Sequence, residues 1–377
     1  MKEPEQIHIC EFEASSGLLD PVEVLLVVKS QDQIQRRQRM LGQLKRGKIG
    51  RIQPRPIAEG LLVKYQFPPT GTQHVHREDA AWVVPFREPR HVVPWARDRY
   101  LLTEIDGVNL LDAQGHVLDR YTHPYFAFLH TVMLNQSQDR FLATSAGYDA
   151  ILEIDVHTKA ETWRWFGWDH GFNPNEFGIY YTNTQEKAQE LKKQGYDATY
   201  IDPNEYNEQG LLTGTRTTHP NVAFYNPYTS EETVLVSLGS GKIIEIDRHT
   251  SEYTLRLDAA RPDDRVSPLL HGIMPYGQGW MVTHTCRGEF WILDRDFNVV
   301  QQYIFRTLPG KPDTVGEWDW LQLVVPISDG TFLGLDANRG MIVCDTIRRR
   351  YELFYPDPNW CLQDVLISAP TPNDSKQ

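Results

Sequence analysis

Residues 127 to 155 read AFLHTVMLNQSQDRFLATSAGYDAILEID. An apolar run carrying His130 leads into a polar turn, a second apolar run, a second turn and a third run that ends on Asp155. Runs of this length separated by Gly, Asp, Asn and Ser turns are the pattern of short antiparallel strands. The stretch decides the fold because it recurs. RHVVPWARDRYLLTEIDGVNLLD (90–112), HPNVAFYNPYTSEETVLVSLGSGKIIEID (219–247), LHGIMPYGQGWMVTHTCRGEFWILD (270–294) and LQLVVPISDGTFLGLDANRGMIVCD (321–345) repeat the same three strands. Each ends on an aspartate, namely Asp112, Asp155, Asp247, Asp294 or Asp345, and each is followed by a fourth strand-like piece such as AETWRWFG or RRYELFYP.

Four short strands per unit, repeated along the chain, predict an all-β fold, a β-propeller of four-stranded blades. A sixth copy, WCLQDVLISAP at 360–370, supplies one strand and stops. An open ring would expose unpaired strand edges. The N-terminal runs PVEVLLVVKS and EGLLVKYQF are therefore expected to complete a sixth blade around that strand. The division that follows is 1–86 for the closing strands and a basic segment, and 87–377 for the propeller. The aspartates ending the third strands are expected to cap turns on the face opposite the site.

Two segments stand outside the repeat. Residues 29–55 hold nine Lys or Arg against one Asp, a local charge of +8 in a chain whose total is −12. Ile34, Leu41 and Leu44 give this segment one weakly apolar helical face. It is read as a helix or loop packed on the propeller, with an anionic partner or membrane surface as the alternative. Residues 167–218 form a long insertion with a helical stretch, TQEKAQELKKQG, and tyrosines at 180, 181, 196, 200 and 206. A connection this long in a compact fold is expected to act as a lid.

An acidic chain lacks the basic footprint of a nucleic-acid binder. Cys10, Cys286, Cys344 and Cys361 show no metal-type spacing and read as reduced thiols. The N-terminus carries no export signal and no apolar window is long enough to span a membrane, so the expectation is a cytoplasmic protein with no membrane insertion.

In a propeller the heads of the inner strands and the second turns of all blades converge on one end of the central channel. Here those positions hold His91, His130, His219 and His271, with Glu104, Tyr148, His284, Arg287, Asn338 and Arg339 at the turns. Imidazole is both a general acid or base near neutral pH and a ligand for iron or zinc. His91, His130, His219 and His271 are expected to hold a divalent transition metal. His130, His271, His284 and Arg287 are the candidate catalytic residues. Substrate contacts are assigned to Glu104, Tyr148, Trp168, Tyr180, Asn338 and Arg339. A thiolate at Cys286, favoured by Arg287, is a minor alternative.

The blade LHTVMLNQSQDRFLATSAGYDAILEIDVHTKAETWRW, with its strand-head histidine, ILEID strand and tryptophan-bearing fourth strand, resembles those of arylsulfotransferase-like and NHL-type six-bladed propellers. The resemblance spans roughly residues 87–370. It implies sulfuryl transfer through a channel histidine, for which His130 or His271 is the matching position. The four-histidine arrangement is similar, more loosely, to that of carotenoid cleavage oxygenases, which hold iron on propeller strands. The leading expectation is a metal-dependent enzyme acting on a small aromatic or polar molecule at the channel. The alternatives are metal-free group transfer and a non-enzymatic scaffold that binds a protein partner.

Overall fold

The computed structural model describes residues 4–44, 50–96, 98–205, 207–261, 264, 268–315 and 319–368, with only the backbone at position 44. Tyr206, the Leu44 side chain, residues 45–49 of the basic segment and residues 316–318 lie outside the described residues.

Six small antiparallel sheets form a ring. Blade I contains Val92–Pro94, Tyr100–Thr103, Val108–Leu111 and Val117–Tyr121, from the channel outward. Blade II runs Leu129–Leu134, Arg140–Ser145, Ala150–Asp155 and Glu161–Phe166. Blades III, IV and V begin with the inner strands Pro220–Tyr225, Leu270–Tyr276 and Leu321–Ser328 and repeat the order. Each inner strand touches that of the next blade, and Leu362–Ile367 touches Val92–Pro94, so the ring is closed.

Closure joins the two ends of the chain. Leu362–Ile367 is the inner strand of blade VI and pairs with Val22–Val28, which pairs in turn with Glu59–Phe67 and then Trp82–Arg87. The fourth strand, WVVPFR, was not singled out by the repeat. Its proline, Pro85, lies on the outer edge, where a missing N–H breaks no ladder. The first residues add something the repeat did not announce: Glu5–His8 and Glu13–Ala14 extend blades IV and V as outermost parallel strands.

The core is divided among the blade interfaces. One apolar cluster fills each of the six gaps between neighbouring blades. At the closing gap Leu25, Val27 and Leu62 of blade VI meet Leu102 and Leu111 of blade I. Alternation along every strand turns one face to each neighbour, which is why these strands are apolar on both sides. Burial of one such leucine stabilises by about 1.5–3 kcal/mol.

All five third-strand aspartates cap turns. Asp155 Oδ1 accepts the backbone N–H of His157 and Thr158, and Asp247 does the same for His249 and Thr250. Asp112, Asp294 and Asp345 repeat it in their own blades.

The described parts of both non-repeat segments sit over the channel mouth. The helix Gln33–Leu44 differs from the expected packing: Ile34 is exposed, while Met40 and Leu41 pack on Trp320 and Ala337. Its contacts are mostly polar, because it covers the polar channel end and not a sheet face. Gln33 Nε2 and Arg37 Nε donate to the Ala337 carbonyl. In the insertion, Gln185–Lys193 forms the expected helix, capped by Thr184, whose Oγ1 accepts the Lys187 N–H. Two short parallel strands, Ile179–Thr182 and Asp197–Tyr200, flank it and were not foreseen. The two segments meet at Gly50 and Gly214, where a Cβ on Gly50 would lie 2.8 Å from the Gly214 Cα.

Candidate functional site

Beneath this roof lies a cavity of about 580 Å³. Phe128, His219 and Leu269, which lead into the inner strands of blades II to IV, line it. Glu88 takes the corresponding place before blade I, and all four have positive φ, between 47° and 52°. A left-handed backbone at a non-glycine residue costs on the order of 1–3 kcal/mol and persists only where surrounding structure enforces it. Two residues further on, Arg90, His130 and His271 line the cavity in blades I, II and IV, while Leu129 and Leu270 between them are buried in the core.

The walls are basic. Lys29, Arg36, Arg39, Arg51, Arg55, Arg90 and Arg216 line the cavity, against the carboxylates of Asp32 and Glu176. Four of these cations crowd one aromatic ring: the guanidinium carbons of Arg90, Arg216 and Arg51 lie 3.8, 4.2 and 5.3 Å from the Phe128 centroid, and Lys29 Nζ lies 5.7 Å from it. A π face attracts a cation, but it cannot neutralise four.

Compensation is partial. Glu88, fully buried behind the wall, accepts from Arg90 Nη2 at 3.0 Å and pairs with Arg55. Burial alone would raise the Glu88 carboxyl, but the charges of Arg90, Arg55 and Lys29 draw its pKa down to about 2. Arg216 donates to the Leu211 and Gln209 carbonyls and feels the charge of Asp149. Lys29 Nζ has no hydrogen bond or ion pair among the described residues. Burial, then Arg90 and Arg36, push the Lys29 pKa well below that of a free lysine. Burial first, then the neighbouring arginines, lower Arg90 to about 9.

Three of the four strand-head histidines belong to this cavity. The His130 ring lies 5.1 Å from that of His219 and 6.2 Å from that of His271. His219 Nδ1 is 3.0 Å from Arg216 Nη1; guanidinium can only donate, so Nδ1 is the bare acceptor and the proton sits on Nε2. His271 Nδ1 is 2.8 Å from Thr285 Oγ1. Burial and the surrounding cations hold all three pKa values down, His271 to about 3. They are neutral imidazoles in a positive field.

His91 is separated from them. It lines a second, smaller space of about 190 Å³ on the other side of the His130 and His271 rings, with its Nε2 3.8 Å from Asp364 Oδ2. No group of three or more His, Cys, Asp or Glu side chains among the described residues is arranged around a metal position. Three imidazoles can hold a divalent ion, but here Arg90 Nη1 lies 3.5 Å from His130 Nε2 and Arg216 Nη1 3.0 Å from His219 Nδ1, and these guanidinium groups oppose one.

The remaining sequence-derived candidates line neither space. His284 is buried against Trp291, with a ring separation of 5.0 Å, and burial lowers its pKa to about 3. Arg287 pairs with Asp264. The Cys286 thiol is pushed up by burial, the opposite of an activated thiolate. Glu104 accepts the Arg87 backbone N–H and pairs with Arg120. Tyr148 and Trp168 lie in the core between blades I and II, and Tyr180 packs on Tyr196 within the insertion. Arg339 is buried on Asp319 and Asp336, and the Asn338 backbone N–H is held by the same Asp336.

The residues that sequence reasoning missed are Lys29, Arg51, Arg90, Arg216 and Phe128. A signal existed. Arg90 stands beside His91, Arg216 precedes His219 by three, and the +8 segment contributes the rest. Those charges belong to one site only once the ring and its roof are assembled.

No protein-family model and no curated protein matches this chain. Among solved structures, a protein of unknown function from Bacteroides caccae is similar over 92% of this chain and 98% of its own, with 11% identity and a TM-score of 0.50. Kuenenia stuttgartiensis hydrazine synthase matches 66% of this chain and 55% of its own at 13% identity and a TM-score of 0.40. The β-propeller domain of Myceliophteria_thermophila Cps50 (Swd1) matches 74% of this chain and 85% of its own at 10% identity and a TM-score of 0.40. Likeness at this level concerns the fold and leaves function to the site.

Proposed function

We propose that the protein binds a small organic anion in the roofed channel mouth and acts on it through the neutral imidazoles of His130, His219 and His271. The observation that carries this reading is Lys29, whose half-buried ammonium faces the cavity beside Arg36, Arg51, Arg90 and Arg216 with no hydrogen-bond or ion-pair acceptor among the described residues. A buried charge without a partner is costly, and an incoming carboxylate, phosphate or sulfate supplies the missing acceptors. A neutral imidazole at His130 or His271 supplies what guanidinium cannot, a lone pair that takes a proton from a bound hydroxyl or water, while His219, its Nδ1 held by Arg216, donates from Nε2.

Metal-free group transfer, the activity implied by the arylsulfotransferase resemblance, is a second reading of the same site. With the His271 Nδ1–H donating to Thr285 Oγ1, the lone pair of Nε2 is the one that attacks. Sulfur would bond to Nε2 as the bond to the aryl oxygen breaks, and the phenolate would leave. The scaffold reading loses support, because Arg36, Arg51 and Arg55 turn inward to the cavity.

Mass spectrometry of the small molecules released from purified protein, with metal analysis of the same sample, tests this proposal. A stoichiometric organic anion without metal supports it; a stoichiometric transition metal without an anion overturns it.

A further inference from the structure

The smaller space below the histidines has a different character from the one above. Arg90, His130 and His271 border both, so the two spaces share one polar partition. At the same level of the inner strands stand Asn221, Gln322 and Gln363, with Thr131 one residue further along its strand. Asn221 Nδ2 donates to the Leu270 carbonyl, while its buried Oδ1 has no partner among the described residues. Further down the lining is Val222, Ile273, Leu323 and Val365, with the half-buried Met133 and Met274. Asp364 is the one carboxylate among the described lining residues, and nearby it accepts the Val92 backbone N–H.

We infer that the lower chamber is the subsite for an apolar tail, so that the ligand is an amphiphile whose anionic head sits among Lys29, Arg51, Arg90 and Arg216 and whose short hydrocarbon part passes the histidines into the channel. This rests on the anion reading above and narrows its ligand class. Asp364 would repel a second anionic group there, whereas a chain of a few carbons replaces water against valine, isoleucine and leucine. The two methionines, unbranched and flexible, adjust to tails of different shape. Asn221 Oδ1 offers an acceptor to a hydroxyl or amide N–H at the junction of head and tail. Carbon bound to the head is thereby carried past the imidazoles, so the head-to-tail linkage lies against His130 and His271.

The test is calorimetric titration of the full chain with n-alkyl phosphates from methyl to hexyl, with the corresponding n-alkanoates as a second head-group series. Affinity is expected to rise about fourfold per methylene over the first few carbons and then level off. Val222→Phe, which fills the lower chamber, should flatten that rise and leave methyl phosphate affinity unchanged. Met133→Phe provides the same test should Val222→Phe fail to fold. Binding of methyl phosphate or acetate with no dependence on chain length overturns this inference and leaves the anion reading standing. A chain-length gain that survives both filling variants also overturns it, since the tail then lies elsewhere. No binding by either series overturns both.

Discussion

Asp149 holds His219 in place across 70 residues of sequence: its Oδ1 accepts the His219 backbone N–H at 2.6 Å. The same carboxylate takes the backbone N–H and hydroxyl of Thr217 and of Thr218. It is completely buried, sits in the left-handed region at φ 49°, and fixes the point where the insertion returns to blade III. Asp149→Asn keeps a residue that tolerates this φ but loses the charge and one acceptor. The expected cost is on the order of 3 kcal/mol of stability, read by denaturant unfolding, with weakened anion binding because Arg216 and His219 lose their anchor.

Stability should fall in acid for a reason specific to this site. An unfolded histidine titrates near 6.5, whereas folded His271 titrates near 3. Between those values the unfolded chain binds the extra proton, so this contribution is complete above pH 6.5 and is lost progressively as pH drops toward 3. His130 and His219 shift in the same direction. His271→Gln should reduce the pH slope of unfolding free energy by up to one proton, about 1.4 kcal/mol per pH unit. An unchanged slope would exclude His271 from the acid response.

A bound anion offsets the positive field that, after burial, keeps these rings neutral. Binding below pH 6.5 should therefore take up protons, seen as a calorimetric enthalpy that depends on the ionisation enthalpy of the buffer. In alkali the affinity should fall as Lys29 loses its proton, earlier than for a free lysine because its pKa is lowered. An affinity constant from pH 5 to pH 10 would contradict both.

Ring closure predicts a cooperative loss. Leu25 is fully buried and pairs in register with Leu366 while packing on blade I. Leu25→Ala should cost about 2–5 kcal/mol. Because the strand carrying Leu366 is the inner strand of the closing blade, the melting curve should shift as one transition for the whole ring; two separated transitions would show that blade VI is not integral to it.

Particular residues show how much of this was legible. The aspartate-ended units disclosed the blades, since Asp155 and its equivalents cap the same turn each time. The orphan strand WCLQDVLISAP disclosed the closure, since a single strand cannot stand without partners. His130, His219 and His271 could be grouped because one blade position repeats. His91 could not be separated from them: it lies beside Arg90, and the local path through Glu88, with φ 47°, decides which of the two faces the upper cavity. Nor could Lys29 and Arg216 be joined to Phe128, because contacts across 99 and 88 residues arise only from ring assembly and carry no periodic signal.

The central claim is that the partly compensated cations around Phe128 exist to receive an anion. Titrating butyl phosphate into wild-type protein and Lys29→Met, with thermal unfolding of both free proteins, tests it most directly. Removing a half-buried charge crowded by Arg90 and Arg36 should raise the melting temperature of the free protein while weakening butyl phosphate binding about 10- to 150-fold. Equal affinities in the two proteins, or no binding by wild type, would contradict the account.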